Sequence, residues 1–105
     1  MSNSKTDTKR YALIFKALSN PHRLEIFQML TSCCPPGTSC SIDAASRCVG
    51  ELGESLDIAA STLSHHLKEL NHAGLIQMDR KGKQVMCRVD SQTLSELSTY
   101  FQPAS

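Results

Sequence analysis

The sequence predicts a mainly α-helical fold with one small β-hairpin. Apolar residues recur at helical spacing through most of the chain, and two short runs of alternating apolar residues flank a basic turn that contains glycine. The order along the chain is four helices, the hairpin and a last helix. With 105 residues, the chain has the length of a single domain over 1–105, and its small core favours dimerisation.

The first third of the chain predicts two helices joined by a tight turn. Between Lys5 and Leu18 the apolar face is wider than one shallow contact needs. Asn20 is a favoured N-cap residue, and Pro21 stands at the first helical position, where its missing N–H costs nothing. The second helix is expected to bury the side that carries Leu24, Ile26, Phe27, Met29 and Leu30.

Residues 31–47 show no periodicity, and we expect a long loop there with a cysteine-rich insertion at 32–46. The segment contains a Pro-Pro-Gly breaker and three of the five cysteines, which are Cys33, Cys34 and Cys40. Long loops in compact chains are often functional, although a disordered surface insertion would have the same composition. Helical spacing resumes at about Cys48 and breaks again at 57–59.

The helix expected from about Ala60 to Ala73 has two contrasting faces. One is an apolar stripe of leucines, and the other is small and polar. Hydroxyl, imidazole and amide groups near a helix N-terminus suit phosphates and base edges in a major groove. The candidate DNA-contacting side chains are Ser61, Thr62, Ser64, His65 and Lys68. His66 lies nearer the leucine stripe and is expected to pack, and Gly74 stands where a C-cap is expected.

Two strands are expected at 75–79 and 84–89, on either side of the basic tip Arg80-Lys81-Gly82-Lys83. The side chains of Arg80, Lys81 and Lys83 suit flanking phosphates. Each of these features alone is common on a solvated surface. Together, and in this order, they favour a winged helix-turn-helix that binds double-stranded DNA. A last helix is expected after Asp90 or Ser91, with Leu94, Leu97 and Phe101 on its apolar side, Pro103 as its stop and 101–105 as a tail.

Three motifs make the chain resemble the ArsR/SmtB family of metal-sensing repressors. They are FKALSNPHRLEIFQML, LDIAASTLSHHLKELNHAGLI and RKGKQVMCRV. The resemblance covers nearly the whole chain apart from 32–46 and both tails. It implies a homodimer joined through the first and last helices. It also implies a repressor that leaves its operator when an inducer binds.

The resemblance also points to the cysteines. Arsenic-sensing members of the family carry an ELCVCDL-like box, and this chain has SRCVGELGESL there, so Cys48 matches the first cysteine while Gly50 replaces the second. Cys48 is expected near a helix N-terminus, which favours its thiolate. Thiolates suit soft ions. We therefore expect arsenite or antimonite, As(III) or Sb(III), on three ligands drawn from Cys33, Cys34, Cys40 and Cys48.

Several alternatives stay open at this point. All four cysteines would suit tetrahedral Zn, Cd or Pb, or they would form disulfides in a repressor that senses oxidants. Cys87, between Val85 and Val89, is expected to be a small buried hydrophobe. The family's second metal position, in the last helix, lacks histidine here. A constitutive DNA-binding protein is possible on this sequence, and an enzyme is not favoured because no nucleophile motif is present.

Composition sets further bounds. The formal net charge is only +1, so any affinity for nucleic acid has to come from local basic stretches. The longest apolar runs are too short to cross a bilayer, and the polar N-terminal segment lacks the apolar core of a secretory signal. The sequence therefore predicts a cytoplasmic protein without a membrane partner, in which cysteines stay reduced.

Overall fold

The computed structural model describes residues 4–52 and 60–102. The described helices and strands are, in chain order, α1 (Ser4–Leu18), α2 (Pro21–Cys33), β1 (Ser39–Ser41), α3 (Ile42–Leu52), α4 (Ala60–His72), β2 (Ile76–Lys81), β3 (Gln84–Val89) and α5 (Ser91–Tyr100). The mainly α-helical class with a β-hairpin is confirmed. The helix break expected at 57–59 and the stop at Pro103 lie outside the described residues.

The helix ends form where local chemistry predicted them. The Oδ1 atom of Asn20 accepts a hydrogen bond from the Arg23 backbone N–H at 3.1 Å, and Pro21 opens α2. Gly74 has φ +84°, and the two bonds from Gly74 N–H to Asn71 O and from Leu75 N–H to Leu70 O close α4. This pair of bonds is a Schellman motif, which satisfies carbonyls that the helix leaves free.

The prediction of one long loop over 31–47 is wrong. A type II-like turn follows α2, because Thr38 N–H donates to Pro35 O at 2.9 Å and Gly37 has φ +87°. The strand β1 comes next. The helix α3 then begins at Ile42 rather than at Cys48, with the Ser41 hydroxyl accepting from the Ala44 N–H as its cap.

The three strands form one antiparallel sheet in the order β1-β3-β2. The hairpin prediction is confirmed, although β2 starts at Ile76 and extends through Lys81, so Arg80 and Lys81 belong to the strand rather than to the tip. The turn is Gly82-Lys83, and Gly82 has φ +63°. The strand β1 was not predicted, and it pairs with β3 through Ser39↔Arg88, Cys40↔Cys87 and Ser41↔Met86.

The core lies between the helices and the inner face of this sheet. Its largest fully buried side chains are Ile14, Ile26, Leu30, Leu67, Leu70, Leu75, Ile76, Val89, Cys34 and Cys87. These side chains come from α1, α2, α4, the turn after α4 and the sheet. Because they are buried against one another, they fix α4 and the hairpin relative to the N-terminal helices. Within the described ranges, no helix is both long and apolar enough to span a membrane.

Candidate DNA-binding surface and cysteine cluster

The helix α4 divides into a buried and an exposed face, as its pattern predicts. Leu63, Leu67 and Leu70 are buried, whereas the candidate DNA-contacting side chains Thr62, Ser64, His65 and Lys68 are exposed. The side chain of the fifth candidate, Ser61, is not among those that the structure describes. The polar groups of one helix face are therefore available to a ligand while the other face anchors the helix in the core.

The hairpin presents the basic side chains of Arg80, Lys81 and Lys83, and all three are exposed. Antiparallel pairing of β2 with β3 extends to Lys81↔Gln84, directly beside the turn. The charges are thus carried by the end of a hydrogen-bonded hairpin rather than by an irregular loop. Such an arrangement suits contacts with phosphates, which fix the position of a protein on the duplex without reading its sequence.

Arg23 connects the buried side of α4 to the N-terminal helices. Its Nε atom donates to Nδ1 of His66 at 3.2 Å, and its Nη1 atom donates to the carbonyl oxygen of Ala17 at 3.1 Å. His66 is only 7% exposed, which confirms it as a packing residue. Burial, and then the positive charge of Arg23, lower the pKa of His66 below its ordinary value. The neutral imidazole is therefore favoured, and it can accept the bond from Arg23.

The four cysteines named as candidate ligands meet in two pairs. The structure joins Cys33 to Cys48 as a disulfide, with 5.9 Å between the Cα atoms, and it joins Cys34 to Cys40, with 6.2 Å between the Cα atoms. The first pair connects the last turn of α2 to α3. The second connects the C-cap of α2 to β1. Residues from both sides of the Pro-Pro-Gly turn are thereby brought together.

Cys48 does not lie at a helix N-terminus. Because α3 begins at Ile42, Cys48 stands in the middle of that helix, and the expectation that a helix end favours its thiolate is wrong. Gly50 follows two residues later in the same helix and is exposed. Residues two apart on a helix do not share a face. A box-type pair at 48 and 50 would therefore not converge here, whereas Cys33 lies within bonding distance of Cys48.

Cys87 is the free cysteine of the described residues, and it is buried with 1% exposure. Burial raises the pKa of its thiol. The core position agrees with the sequence prediction. Sequence reasoning missed that Cys87 is the direct cross-strand partner of Cys40, because this pairing depends on the unpredicted strand β1.

Four aromatic side chains on α1 and at the C-terminal end of α5 form a surface, which we call the aromatic surface. They are Tyr11, Phe15, Tyr100 and Phe101. The ring of Tyr100 lies 4.6 Å from that of Tyr11 and 5.5 Å from that of Phe15, measured between centroids. Phe101 also packs on Phe15, at 5.5 Å. Tyr100 is 52% exposed and Phe101 is 67% exposed. Large aromatic rings exposed as a group are typical of protein interfaces.

The helix α4 with its polar outer face, the helix α3 before it and the hairpin after it define the chain as a winged helix-turn-helix protein. A family model described as a helix-turn-helix domain matches residues 18–79, which is more than half of the chain. The chain belongs to the helix-turn-helix family of transcriptional regulators.

Relatives and solved structures agree with this assignment. The chain is 32% identical over 94 residues to the helix-turn-helix-type transcriptional regulator YbzH of Bacillus subtilis, covering 85% of this chain and 92% of that protein. It is 38% identical over 74 residues to the arsenical resistance operon repressor of Bacillus subtilis, covering 70% and 60%. Both relatives belong to the class that the sequence predicts for this chain, the regulators of transcription.

The fold is shared with a solved homodimeric winged helix-turn-helix DNA-binding domain from Mycobacterium bovis, a possible ArsR-family regulator. The TM-score is 0.64 at 23% identity, and the alignment covers 95% of this chain and 82% of that one. At this identity the likeness concerns the fold. It places this chain's helices and hairpin in the arrangement of that winged helix-turn-helix domain.

Proposed function

We propose that the chain is a homodimeric, cytoplasmic repressor that binds operator DNA and releases it when As(III) or Sb(III) binds its cysteine thiolates. The observation that carries this proposal is the meeting of four cysteines beside the helix that precedes the recognition helix. Cys33 is bound to Cys48 within α3, and Cys34 is bound to Cys40. The identity to an arsenical resistance operon repressor supports the same class of inducer.

In the DNA complex, α4 occupies a major groove. Ser61, Thr62, Ser64 and His65 reach base edges or phosphates near the N-terminus of the helix, and Lys68 meets the backbone. The hairpin places Arg80, Lys81 and Lys83 on flanking phosphates. The exposed faces of α4 and of the hairpin support this placement.

The aromatic surface supports the homodimer. Tyr100 and Phe101 expose rings that would be buried against the same surface of a second copy, because a two-fold interface pairs each patch with itself. Two recognition helices related in this way address half-sites about 34 Å apart, in successive major grooves on one face of the DNA.

The inducer acts through differential binding. A tenfold loss of operator affinity requires about 1.4 kcal/mol of coupling between the two sites. A ligand shared by α2 and α3 would favour one relative position of these helices. Since α2 also packs against α4, that position would also affect the spacing of the two recognition helices in the dimer.

A repressor that senses oxidants is the second candidate, and the observed pairing favours it specifically. Both Cα separations, 5.9 Å and 6.2 Å, lie in the range of a disulfide. In this case oxidation of Cys33 with Cys48, or of Cys34 with Cys40, replaces metalloid binding as the signal. Divalent Zn, Cd or Pb on all four cysteines is a third candidate, and like the metalloid it requires that both disulfides be reduced first.

Operator release by the reduced protein tests the proposal. The protein is reduced with a phosphine, bound to labelled operator DNA, and titrated separately with arsenite, antimonite, zinc, cadmium, lead and peroxide. We expect saturating release with one metalloid per protomer. A triple variant with Cys33→Ser, Cys34→Ser and Cys48→Ser should bind operator normally and fail to release it. Normal release by that variant contradicts the proposal, and release by peroxide alone favours the second candidate.

The DNA contacts are tested by salt dependence. Lys81→Gln and Lys83→Gln should weaken binding to all sequences and lower the slope of log K against log salt by about 0.9 for each lost phosphate contact. Lys9→Gln, which removes an exposed lysine of α1, is the matched control and should leave the slope unchanged. Equal slopes in all three variants would exclude a phosphate-binding hairpin.

A further inference from the structure

We propose that Cys34, Cys40 and Cys87, once reduced, form the three-sulfur site that binds a trivalent arsenic or antimony hydroxide. This inference rests on the proposed function and narrows its ligand set. It keeps Cys34 and Cys40 from the four predicted ligands and adds Cys87, the buried cysteine of β3 in the hairpin, or wing. It leaves Cys33 and Cys48 as a separate pair between α2 and α3.

Strand register brings two of the three sulfurs together. Cys40 in β1 stands directly opposite Cys87 in β3. Side chains directly opposite each other in an antiparallel pair lie on the same face of the sheet, with Cβ atoms about 4.5–5.5 Å apart. A bridging atom held by both thiolates therefore requires only rotation of the two side chains, and no slip of the strands.

The third sulfur comes from the C-cap of α2. Cys34 is bonded to Cys40, and its Sγ atom lies 3.8 Å from the carbonyl oxygen of Cys87 and 2.9 Å from that of Thr38. In the reduced state these oxygens can accept the S–H proton of Cys34. Cys34 has 0% exposure and Cys87 has 1%, whereas Cys40 is half-buried. The cluster therefore has two interior sulfurs and one at its solvent-facing edge, where a small neutral hydroxide can enter.

The turn between Cys34 and Cys40 maintains this arrangement. Gly37 N–H donates to Val89 O at 2.9 Å, which ties the turn to the end of β3. The three cysteines therefore lie on α2, β1 and β3 but are held by backbone hydrogen bonds before any ligand binds. Preorganised donors reduce the entropy that a ligand has to offset.

Formation of the arsenic site requires a thiol as reductant but neither a catalyst nor an oxidant. Two molecules of a small thiol first reduce the Cys34–Cys40 disulfide and leave as their own disulfide. Arsenite, As(OH)3, then exchanges its three As–O bonds for three As–S bonds, and each hydroxide leaves as water with the proton of one thiol. Burial raises the pKa of the Cys87 thiol, and this does not oppose the exchange because the thiol proton leaves within the water.

Ligand binding at this site acts on the wing. The strand β3 carries Cys87 and is hydrogen-bonded to β2, whose far end presents Arg80 and Lys81. A bound pnictogen would fix the C-terminal end of α2 to the base of this hairpin. Release would then come from repositioned wing charges, in addition to any movement of α3.

Thiol counting with arsenite tests the assignment. Phosphine-reduced, desalted protein is titrated with arsenite, and the measured quantities are thiols protected from a reactive dye, sulfur-to-arsenic charge-transfer absorption and sulfur coordination number by X-ray absorption. We expect three sulfurs per arsenic in the wild type and in the variant with Cys33→Ser and Cys48→Ser. Cys87→Ala and Cys40→Ser should each leave two sulfurs on arsenic and weaken its binding about tenfold or more, which is 1.4 kcal/mol per factor of ten.

Two controls keep the outcomes distinct. Cys40 is half-buried, so Cys40→Ser tests the site even where Cys87→Ala perturbs the core, and circular dichroism checks the fold of both. Three-sulfur coordination at wild-type affinity in Cys87→Ala overturns this inference while leaving metalloid-induced release intact. Two-sulfur coordination in the Cys33 and Cys48 double variant also overturns it. Wild-type protein that binds no arsenite overturns both the inference and the proposed function.

Discussion

The Nε atom of Arg23 donates to Nδ1 of His66 at 3.2 Å, which links the first turn of α2 to the buried side of the recognition helix. The same guanidinium donates to the carbonyl oxygen of Ala17 at the end of α1. One planar group therefore holds three helices in a fixed relation. His66 is buried, and His65 and Lys68 lie close to it in sequence on the exposed face of the same helix, so this link also orients the groups available to DNA.

Replacement of Arg23 by lysine should weaken operator binding. An ammonium group cannot reproduce two hydrogen bonds in a planar fork, so either His66 or Ala17 loses its donor. We expect a loss of about 1–3 kcal/mol in the free energy of unfolding, as for hydrogen bonds from charged donors. Operator affinity should fall as well, since α4 is held less firmly. Urea unfolding and fluorescence anisotropy on operator DNA measure the two effects.

Arg47→Lys is the matched control for this change. Arg47 is exposed on α3, and its replacement should alter the free energy of unfolding by no more than about 0.5 kcal/mol. A double-mutant cycle of Arg23→Ala with His66→Ala isolates the pair, and we expect a coupling energy of about 0.5–3 kcal/mol. Additive effects in this cycle would show that the contact carries no coupling.

The pH dependence of stability should reveal the neutral state of His66. Burial and Arg23 lower its pKa below the ordinary value of 6.5, with smaller lowering contributions from His65 and His22 and an opposing one from Glu69. As the pH falls, His66 therefore takes up a proton at a higher pH in the unfolded chain than in the folded chain. The associated stability is fully present above pH 6.5 and is lost as the pH falls through the folded pKa.

The comparison is between wild type and His66→Asn, whose side-chain oxygen can accept the bond from Arg23 without titrating in this range. Unfolding free energies are measured at pH 7.5 and 5.5, at one protein concentration because the stability of the proposed dimer would depend on it. The wild type should lose more stability between these two values than the variant does. Parallel curves would mean that His66 titrates equally in both states.

The elements that depend on local chemistry could be predicted from the sequence. The Asn20–Pro21 start of α2, the two faces of α4, the Gly74 C-cap and the hairpin each follow from residues within a few positions of one another. The exposed basic tip and the buried Leu63 stripe required nothing further. The candidate DNA surface was found in this way, because its residues lie in two short segments of the chain, 61–68 and 80–83.

The sequence could identify the cysteines that form the cluster, but it could not predict which of them lie next to one another. The strand β1 has three residues, and it exists because β3, more than 40 positions away, supplies its hydrogen bonds. Three residues cannot show a convincing alternation, so the segment looked like a loop. The start of α3 did have a local signal, since Ser41 is a favoured N-cap two residues before Asp43. Without β1, the Cys40–Cys87 register was inaccessible.

Two glycines offer a matched pair of substitutions around the cluster. Gly37→Ala should destabilise the protein by about 1 kcal/mol or more, because Gly37 has φ +87° and an added Cβ is strained there in the backbone alone. Gly50→Ala should stabilise it by about 0.5–1 kcal/mol, because Gly50 is helical and an added Cβ meets nothing within 4 Å. Thermal or urea unfolding of the reduced proteins measures both.

The same pair separates folding from sensing. Gly37 lies in the turn between Cys34 and Cys40, so Gly37→Ala should also weaken arsenite binding. Gly50→Ala should leave arsenite binding unchanged. An equal affinity for arsenite in the two variants would indicate that the turn does not contribute to the site.

The carboxylate of Asp90 should be the main acid-sensitive cap in the wing's connection to α5. Its Oδ1 atom accepts from the N–H groups of Gln92 at 3.0 Å and Thr93 at 3.2 Å, and its Oδ2 atom accepts from Gln77 Nε2 at 2.9 Å. Burial alone would raise its pKa, but the bonds from Gln77, Thr93 and Gln92 outweigh this and hold the pKa below the ordinary 3.8. The contribution to stability is therefore present above pH 3.8 and is lost as the pH falls through the folded pKa.

Two substitutions at this position distinguish the cap from its charge. Asp90→Ala removes the cap and should cost about 1–2 kcal/mol at pH 7. Asp90→Asn keeps a favoured N-cap acceptor, so it should cost less at pH 7 and should reduce the loss of stability seen in acid. Urea unfolding across the acid range measures both effects. An Asp90→Asn variant with the same acid dependence as wild type would show that the Asp90 carboxylate is not what acid removes.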